Sequence, residues 1–336
     1  MTLPVLSTRD LTVELAVDGK WFPAVNRVSF DLAPGESLGI VGETGCGKTL
    51  LACALIHLLP EGARVSGTLR SGEEDLSHLT EKEWTRLRGG RIAMVFQEPA
   101  AALDPVMTIG AQILESVRRH RGATGASARA FARELLAEVS FPDPDRGLSE
   151  YPHRLSGGLK QRALLAVALA GDPAVLIADE PTTALDATVS ADVLELLDRL
   201  RRERGLALLL ITHDLASVAR HTDRTLVLYA GSVVEERPTG DLFGAPMHPY
   251  TRGLLECLPR LGAATSSRLP VIAGAVPDLA SRPAGVCSFA PRCPDRFEPC
   301  DLSEPPLFPL AAGVARCFLY EGARSTPSTR GTGDGA

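Results

Sequence analysis

The sequence has no apolar run approaching the roughly 18–20 residues needed to cross a bilayer. Leu50–Leu59 and Ala163–Ala170 are far too short and pattern as core helices. It also lacks a basic excess: 35 Lys and Arg against 41 Asp and Glu leave a net charge of −6. No global field favours nucleic acid, and no nucleic-acid partner is expected. Met1-Thr-Leu-Pro-Val5 lacks the charged-then-apolar order of a signal peptide. The expected compartment is therefore the cytosol, with any membrane role arising through a partner. What is present is an ordinary globular composition, 45% hydrophobic and 23% charged over 336 residues. That length suits one large domain with an appendage, or two domains. The mixed-sign run Arg199–Arg204 reads as a solvated helix end.

The most informative stretch is Gly42-Glu43-Thr44-Gly45-Cys46-Gly47-Lys48-Thr49, a G-x-x-x-x-G-K-[ST] phosphate-binding loop. The apolar run Ser37–Val41 before it predicts a strand, and Leu50–Leu59 after it predicts a helix. Gly42, Gly45 and Gly47 let successive backbone N–H groups turn towards one anion, and the helix N-terminus adds partial positive charge. Lys48 is expected to reach the β- and γ-phosphates, and Thr49 to offer its hydroxyl to Mg²⁺.

Upstream, Leu6–Val17 alternates as a half-buried strand, Asp18-Gly19-Lys20 turns, and Val25–Leu32 returns. Trp21 and Phe22 fall on that turn; an aromatic there either stacks on a base or packs on its hairpin neighbours. Arg91–Phe96 predicts a buried strand with Gln97 at its C-terminal end, where ligands of open α/β sheets gather. Gln97 could contact Mg²⁺ or an attacking water. From Glu98 to Arg154 the helix-like segments Ile109–Arg119 and Ala126–Val139 suggest a helical insertion. In Leu155-Ser-Gly-Gly-Leu-Lys-Gln161, Ser156 caps a helix running to Ala170, while Gly157 and Gly158 uncover its first N–H groups. Two glycines weaken a first turn with no obvious packing benefit, so an anion site accounts for their cost. Val175–Glu180 is a buried strand ending in two acids: Asp179 fits the Mg²⁺-holding carboxylate, and Glu180 stands where it could polarise a water. Leu206–Ile211 is a further strand, with His213 at the same sheet edge and in reach of a γ-phosphate. Thr225–Tyr229 and Ser232–Glu236 read as a hairpin closing the domain.

In order and approximate spacing, the phosphate loop, Gln97, Leu155–Gln161, Asp179-Glu180, Ala184-Leu185-Asp186 and His213 resemble the ATP-binding subunits of ABC transporters. The resemblance covers about residues 6–240 and departs mildly at Leu159, where Gln or Met is usual. It implies a P-loop ABC nucleotide-binding domain of α/β class, with a RecA-like core, an antiparallel β-subdomain and an α-helical subdomain. It further implies that two such domains sandwich two ATPs, the loop Gly42–Leu50 of one facing Ser156, Gly157 and Gly158 of the other. Asp241–Leu255, with its His-Pro-Tyr-Thr, resembles the extension of oligopeptide/dipeptide importer ATPases, as do Val276–Leu279 and Cys287–Pro294. Ala178–Asp186 is similar to one of two paralogous ATPases that those importers pair. The implied partners are the other paralogue in a heterodimer, two transmembrane permease subunits and an extracytoplasmic substrate-binding protein, at the cytoplasmic face of the membrane. Peptides are the implied cargo, with nickel or another small solute as the alternative. A soluble non-transport ABC ATPase is the rival class, but neither heptad arrays nor a second phosphate loop are present. Where the subfamily carries an aromatic near the end of its first strand, Glu14-Leu15 stand here, leaving Trp21 as the candidate for adenine stacking.

Four of the seven cysteines, Cys287, Cys293, Cys300 and Cys317, crowd the extension with spacing C-x5-C-x6-C-x16-C. Paired C-x2-4-C knuckles of a zinc ribbon are absent. Four thiolates in a proline-braced segment suit an iron–sulfur cluster, which the resemblance makes a [4Fe–4S] group; Zn²⁺ and plain buried thiols are the alternatives. The expected layout is an ATP-binding domain over 1–240 with a helical subdomain over about 98–160, a small Cys-rich extension over 241–322, and a disordered tail over 323–336.

Overall fold

The computed structural model describes residues 3–258 and 271–322; the expected tail lies outside them. Two sheets organise these residues. The smaller is antiparallel, in the order β2 (Lys20–Leu32), β1 (Leu6–Val17), β4 (Arg64–Ser71), β5 (Glu74–Asp75). Asp18 and Gly19 both take positive φ, 50° and 75°, which is the geometry of a tight two-residue hairpin. The return strand therefore starts at Lys20 rather than Val25. Trp21 and Phe22 sit in the strand, opposite Ala16 and Leu15, and not on the turn.

The larger sheet contains β3 (Ser37–Val41), β6 (Ile92–Val95), β7 (Val175–Asp179), β8 (Ala207–Ile211), β9 (Arg224–Tyr229), β10 (Ser232–Pro238), β11 (Phe308–Leu310) and β12 (Gly313–Ala315). Its order is β11-β12-β10-β9-β3-β8-β7-β6, with β9, β3, β8, β7 and β6 mutually parallel. All five residues of β3, β7 and β8 are buried, as expected of parallel strands covered on both faces. One face packs on the helix Lys48–Leu55 and the small sheet through Leu38, Ile40, Leu51, Leu55 and Leu209. The other packs on the helices Ile109–Arg121, Gly125–Glu138, Gly157–Leu169 and Ala187–Arg204. The helix after the phosphate loop stops at Leu55, short of Leu59. Ala187–Arg204 ends in Arg201, Arg202 and Arg204, as its charge pattern suggests. The helix Glu81–Leu87, opened by a capping box between Thr80 and Glu83, has no counterpart among the elements expected from sequence.

The hairpin β9–β10 forms as expected but does not close the sheet. β12 pairs with β10, Glu235 opposite Ala315 and Glu236 opposite Val314, so the extension prolongs the same sheet by two strands. Beneath it, Tyr229, Tyr250 and Phe289 meet edge-on or tilted at centroid separations of 4.7–5.3 Å. That aromatic cluster gives the extension a core of its own.

The expectation of an iron–sulfur cluster, or zinc, at Cys287, Cys293, Cys300 and Cys317 is corrected. Among the described residues no three Cys, His, Asp or Glu side chains converge as a metal-binding group, and every cysteine is free. Cys287 and Cys293 pack against the aromatic cluster, and Cys300 and Cys317 are buried. Burial pushes the thiols of Cys287 and Cys317 up, and that of Cys293 to about 11. With no metal-binding group found, they act as small apolar packing groups. Among the described residues no helix is long and apolar enough to cross a membrane.

Candidate functional site

Four neighbouring strands, β3, β8, β7 and β6, deliver their C-terminal ends to one cleft of about 520 Å³. β3 contributes the phosphate loop, β8 His213, β7 Glu180, and β6 Gln97, two residues beyond its end. Residues far apart in sequence meet because parallel strands share one polarity.

Two of the loop's glycines, Gly42 and Gly47, are enforced by close backbone approach. A Cβ on Gly42 would stand 2.2 Å from the Leu228 carbonyl oxygen, and one on Gly47, where φ is 109°, 2.8 Å from that of Ala24. Thr44, Gly45, Gly47, Lys48, Thr49 and Leu50 line the cleft; Cys46 is fully buried beneath the loop. Lys48 Nζ donates to the carbonyls of Gly42 at 2.7 Å and Glu43 at 3.2 Å, so its ammonium sits inside the loop's curve.

Glu180 follows β7 with φ 49°, a left-handed conformation that costs a non-glycine residue roughly 1–3 kcal/mol. Its N–H donates to the Ile211 carbonyl at 2.8 Å, which pins that backbone to β8. The carboxylate, nearly buried, lies 2.7 Å from His213 Nδ1 and accepts a long 3.4 Å bond from the Thr183 hydroxyl. His213 itself is largely exposed to the cleft. Asp179 is buried. Burial pushes its carboxyl up, a hydrogen bond from Thr49 pulls it back, and the charge of Glu180 raises it again. One Asp179 oxygen, Oδ1, is buried without any hydrogen-bond partner. An orphaned carboxylate oxygen beside a threonine hydroxyl is the hard-oxygen donor set that suits Mg²⁺.

Two groups of expected residues lie elsewhere. Ser156 caps its helix by accepting from Leu159 N–H at 3.4 Å and, with Gly157, is exposed away from the cleft. The glycines do have a packing role: a Cβ on Gly158 would stand 2.7 Å from Val189 Cγ1, and one on Gly157 3.1 Å from Leu185. An anion is therefore not needed to account for them, contrary to expectation. Trp21 is not among the residues lining the cleft; its ring lies under the Arg64 guanidinium at 3.7 Å.

Sequence reasoning missed the extension's share in the site. Val276, Pro277, Asp278, Leu279 and Arg282 line the cleft together with Leu15 and Ala24. Arg292, almost fully buried, grips the loop residue Glu43 with two bonds of 2.7 and 2.9 Å. The Tyr250 hydroxyl accepts from the Glu43 N–H at 2.9 Å. The stretches Asp241–Leu255, Val276–Leu279 and Cys287–Pro294, already singled out in the sequence, contain Tyr250, four of the lining residues and Arg292, but nothing in them marked a contact with the phosphate loop.

A glycine-enforced phosphate cradle with a lysine inside it, facing an acid pair on the adjoining strands, defines a P-loop nucleotide hydrolase. Residues 25–183 match the family described as "ABC transporter", and residues 234–300 the "Oligopeptide/dipeptide transporter, C-terminal region". A putative peptide import ATP-binding protein of Brucella abortus (strain 2308) is 46% identical over 317 residues, 94% of this chain and 95% of that relative. The oligopeptide transport ATP-binding protein AppD of Bacillus subtilis (strain 168) is 43% identical over 302 residues, 89% of this chain and 92% of its own. Among solved structures, a dimeric ATP-binding cassette in a post-hydrolysis state with ADP and Pi aligns with TM-score 0.62 at 27% identity, covering 70% of this chain and 98% of its own. The chain belongs to the ATP-binding subunits of ABC transporters, in their oligopeptide/dipeptide branch. It is an ATP hydrolase that uses ATP with Mg²⁺.

Proposed function

We propose that this chain drives import of di- and oligopeptides through a membrane permease by hydrolysing ATP in this cleft. The observation that carries the reading is the convergence of phosphate loop, Gln97, Glu180 and His213 at four adjacent strand ends, in a chain that continues into the oligopeptide/dipeptide C-terminal region. Gly42–Leu50 cradle the phosphates through backbone N–H groups, and Lys48 leaves its loop carbonyls for the β- and γ-phosphates. Thr49, Asp179 and Gln97 hold Mg²⁺, which when bound offsets phosphate charge. Glu180 polarises the attacking water, with His213 fixing its carboxylate. Ser156 and Gly157, exposed, and the half-buried Gly158, all outside the chain's own cleft, cover the ATP of a second subunit, a paralogue in a heterodimer. The names of the relatives support peptides as cargo and a permease as partner; the dimeric structural neighbour supports the pairing. An extracytoplasmic binding protein completes the assembly, which places the chain at the cytoplasmic face of the membrane. In this reading residues 1–240 form the ATP-binding unit, about 98–160 its helical part, and 241–322 the extension.

Glu180→Gln, assembled with its partners in vesicles, is expected to lose ATP turnover and peptide uptake by about 10²-fold or more while still binding ATP. Near-wild-type hydrolysis would remove Glu180 from this role. Uptake of nickel in place of peptide would keep the ATPase reading and overturn the cargo.

A further inference from the structure

The cleft is divided by chemistry. Lys48, Thr49, Gln97, Glu180 and His213 occupy its polar part, where the phosphates belong. The remainder is lined by Leu15 of β1, Ala24 of β2 and Val276, Pro277 and Leu279 of the extension, which join into one apolar surface. Asp278 and Arg282 punctuate that surface. No Trp, Tyr or Phe is among the lining residues, so the nucleoside end has no aromatic platform among the described residues.

The extension's part of that surface is anchored. Arg282 donates from Nη1 to the Pro23 and Ala24 carbonyls, both at 3.1 Å, and from Nη2 to the Gly45 carbonyl at 3.3 Å. One side chain thereby ties the extension to β2 and to the phosphate loop. Its Nε–H is buried with no acceptor among the described residues. The turn Leu279–Ser281 packs directly on β2 and is stapled by Ser281, which bonds to the Asp278 carbonyl through both its N–H and its hydroxyl.

We propose that residues 276–282 form the nucleoside subsite: the purine packs on the aliphatic surface of Leu15, Ala24, Val276, Pro277 and Leu279, which Arg282 holds against β2 and the phosphate loop. An aliphatic surface takes the place of aromatic stacking, and the extension thereby reads whether a nucleoside is attached to the phosphates. The proposal rests on the cleft being the ATP site and deepens it.

The test separates the two ends of the ligand. In the full chain carrying Glu180→Gln, titration calorimetry with ATP and with inorganic tripolyphosphate, both with Mg²⁺, reads nucleoside and phosphate binding separately. Leu279→Asp is expected to weaken ATP about tenfold or more and to leave tripolyphosphate within about twofold, because only the apolar wall is lost. Retained tripolyphosphate binding also shows that the variant is folded. Equal weakening of both ligands, or of neither, overturns the subsite. Should Leu279→Asp fail to fold, Val276→Asp is read by the same criteria. If the chain without the wall substitution binds neither ligand, the cleft is not the nucleotide site and both readings fall. If it binds both and the wall variants do not discriminate, the subsite alone falls.

Discussion

The phosphate loop and the extension meet at Glu43, yet they are built by opposite means. The loop does its work with consecutive residues: three glycines, a lysine and a threonine within eight positions, with neighbouring backbone that a Cβ on Gly42 or Gly47 would strike. The extension works through single side chains far along the chain. Arg292 reaches Glu43 across 249 positions and Arg282 reaches Gly45 across 237. Chemistry held in backbone tolerates no substitution, whereas chemistry held in long-range contacts can be removed one contact at a time. The two regions should therefore fail differently.

The sharpest separation is Lys48→Ala. It removes the ammonium from the cradle, so ATP turnover is expected to fall by about 10²-fold or more, as when a charge-stabilising donor is lost elsewhere. Lys48 Nζ bonds to the carbonyls of Gly42 and Glu43 and, at 4.0 Å, to the Cys46 sulfur, all within its own loop, so thermal stability should change little. Loss of stability comparable to the loss of rate would mean that the lysine is chiefly a structural tie.

That contrast also explains what could be seen in advance. Strands β3, β7 and β8 and the loop between Gly42 and Thr49 were legible because a buried parallel strand is a continuous apolar run and a phosphate cradle is a fixed local spacing. Asp179, Glu180 and His213 were legible as the residues that end such runs. Arg282 and Arg292 were not, because one arginine in a proline-rich segment has no local pattern that marks its distant partner. The four cysteines mislead for a related reason: crowding along the chain does not make a metal-binding group, and among the described residues none is found, so they stand as packing groups in and around the cluster of Tyr229, Tyr250 and Phe289. Gly158 shows the reverse error, since its close approach to Val189, on a different helix, cannot be read from its neighbours.

The clamp at Glu43 sharpens the comparison from the extension's side. The carboxylate beside it pushes the Arg292 guanidinium's pKa up, and the pair is shielded, Arg292 being 4% exposed. Arg292 also donates to the carbonyls of Ala273, Ile272 and Gly274, so removing it alone costs more than the pair itself. A double-mutant cycle with Glu43→Gln and Arg292→Met is expected to give a coupling of about 2 kcal/mol in urea denaturation. ATP affinity should fall a few-fold in each single variant, because the loop loses its tether but keeps its own backbone bonds. A coupling near zero would make the contact a bystander.

His248 carries a milder, pH-dependent version of the same dependence. It caps the helix Pro249–Glu256 by accepting from the Tyr250 N–H at 3.0 Å, and full burial lowers its pKa from 6.5 to about 3. A hydrogen bond to the Arg316 backbone pulls it part of the way back, and the charges of Arg252 and Arg316 lower it again. Above pH 6.5 the ring is neutral in both folded and unfolded chains and contributes no pH dependence. Below it, only the unfolded chain takes up the proton, so stability falls by about 1.4 kcal/mol per pH unit until the folded value is reached. His248→Asn keeps a capping oxygen and removes the titration. Whatever its cost at pH 7, its stability deficit relative to the parent should shrink by about 2 kcal/mol between about pH 6.5 and pH 5, measured by denaturant titration at each pH. A constant deficit would show that the imidazole titrates normally and is not sealed beneath the extension.

The smallest effect is expected at Trp21, the aromatic whose position in the sequence made it the candidate for adenine. Its strand starts at Lys20 and not at Val25, which holds it in the sheet beneath Arg64 of β4 and not in the cleft. Trp21→Ala should cost about 0.5–1 kcal/mol of stability from the lost cation–π contact and change ATP affinity by less than about twofold. Arg64→Ala should reproduce the stability loss without adding to it in the double variant, since both remove one contact. A tenfold loss of ATP affinity in Trp21→Ala, with tripolyphosphate binding intact, would return the base to the β-hairpin and take it from the aliphatic wall of the extension. The two sites compete for one purine, so Trp21 and Leu279 cannot both show the nucleoside-specific loss in full.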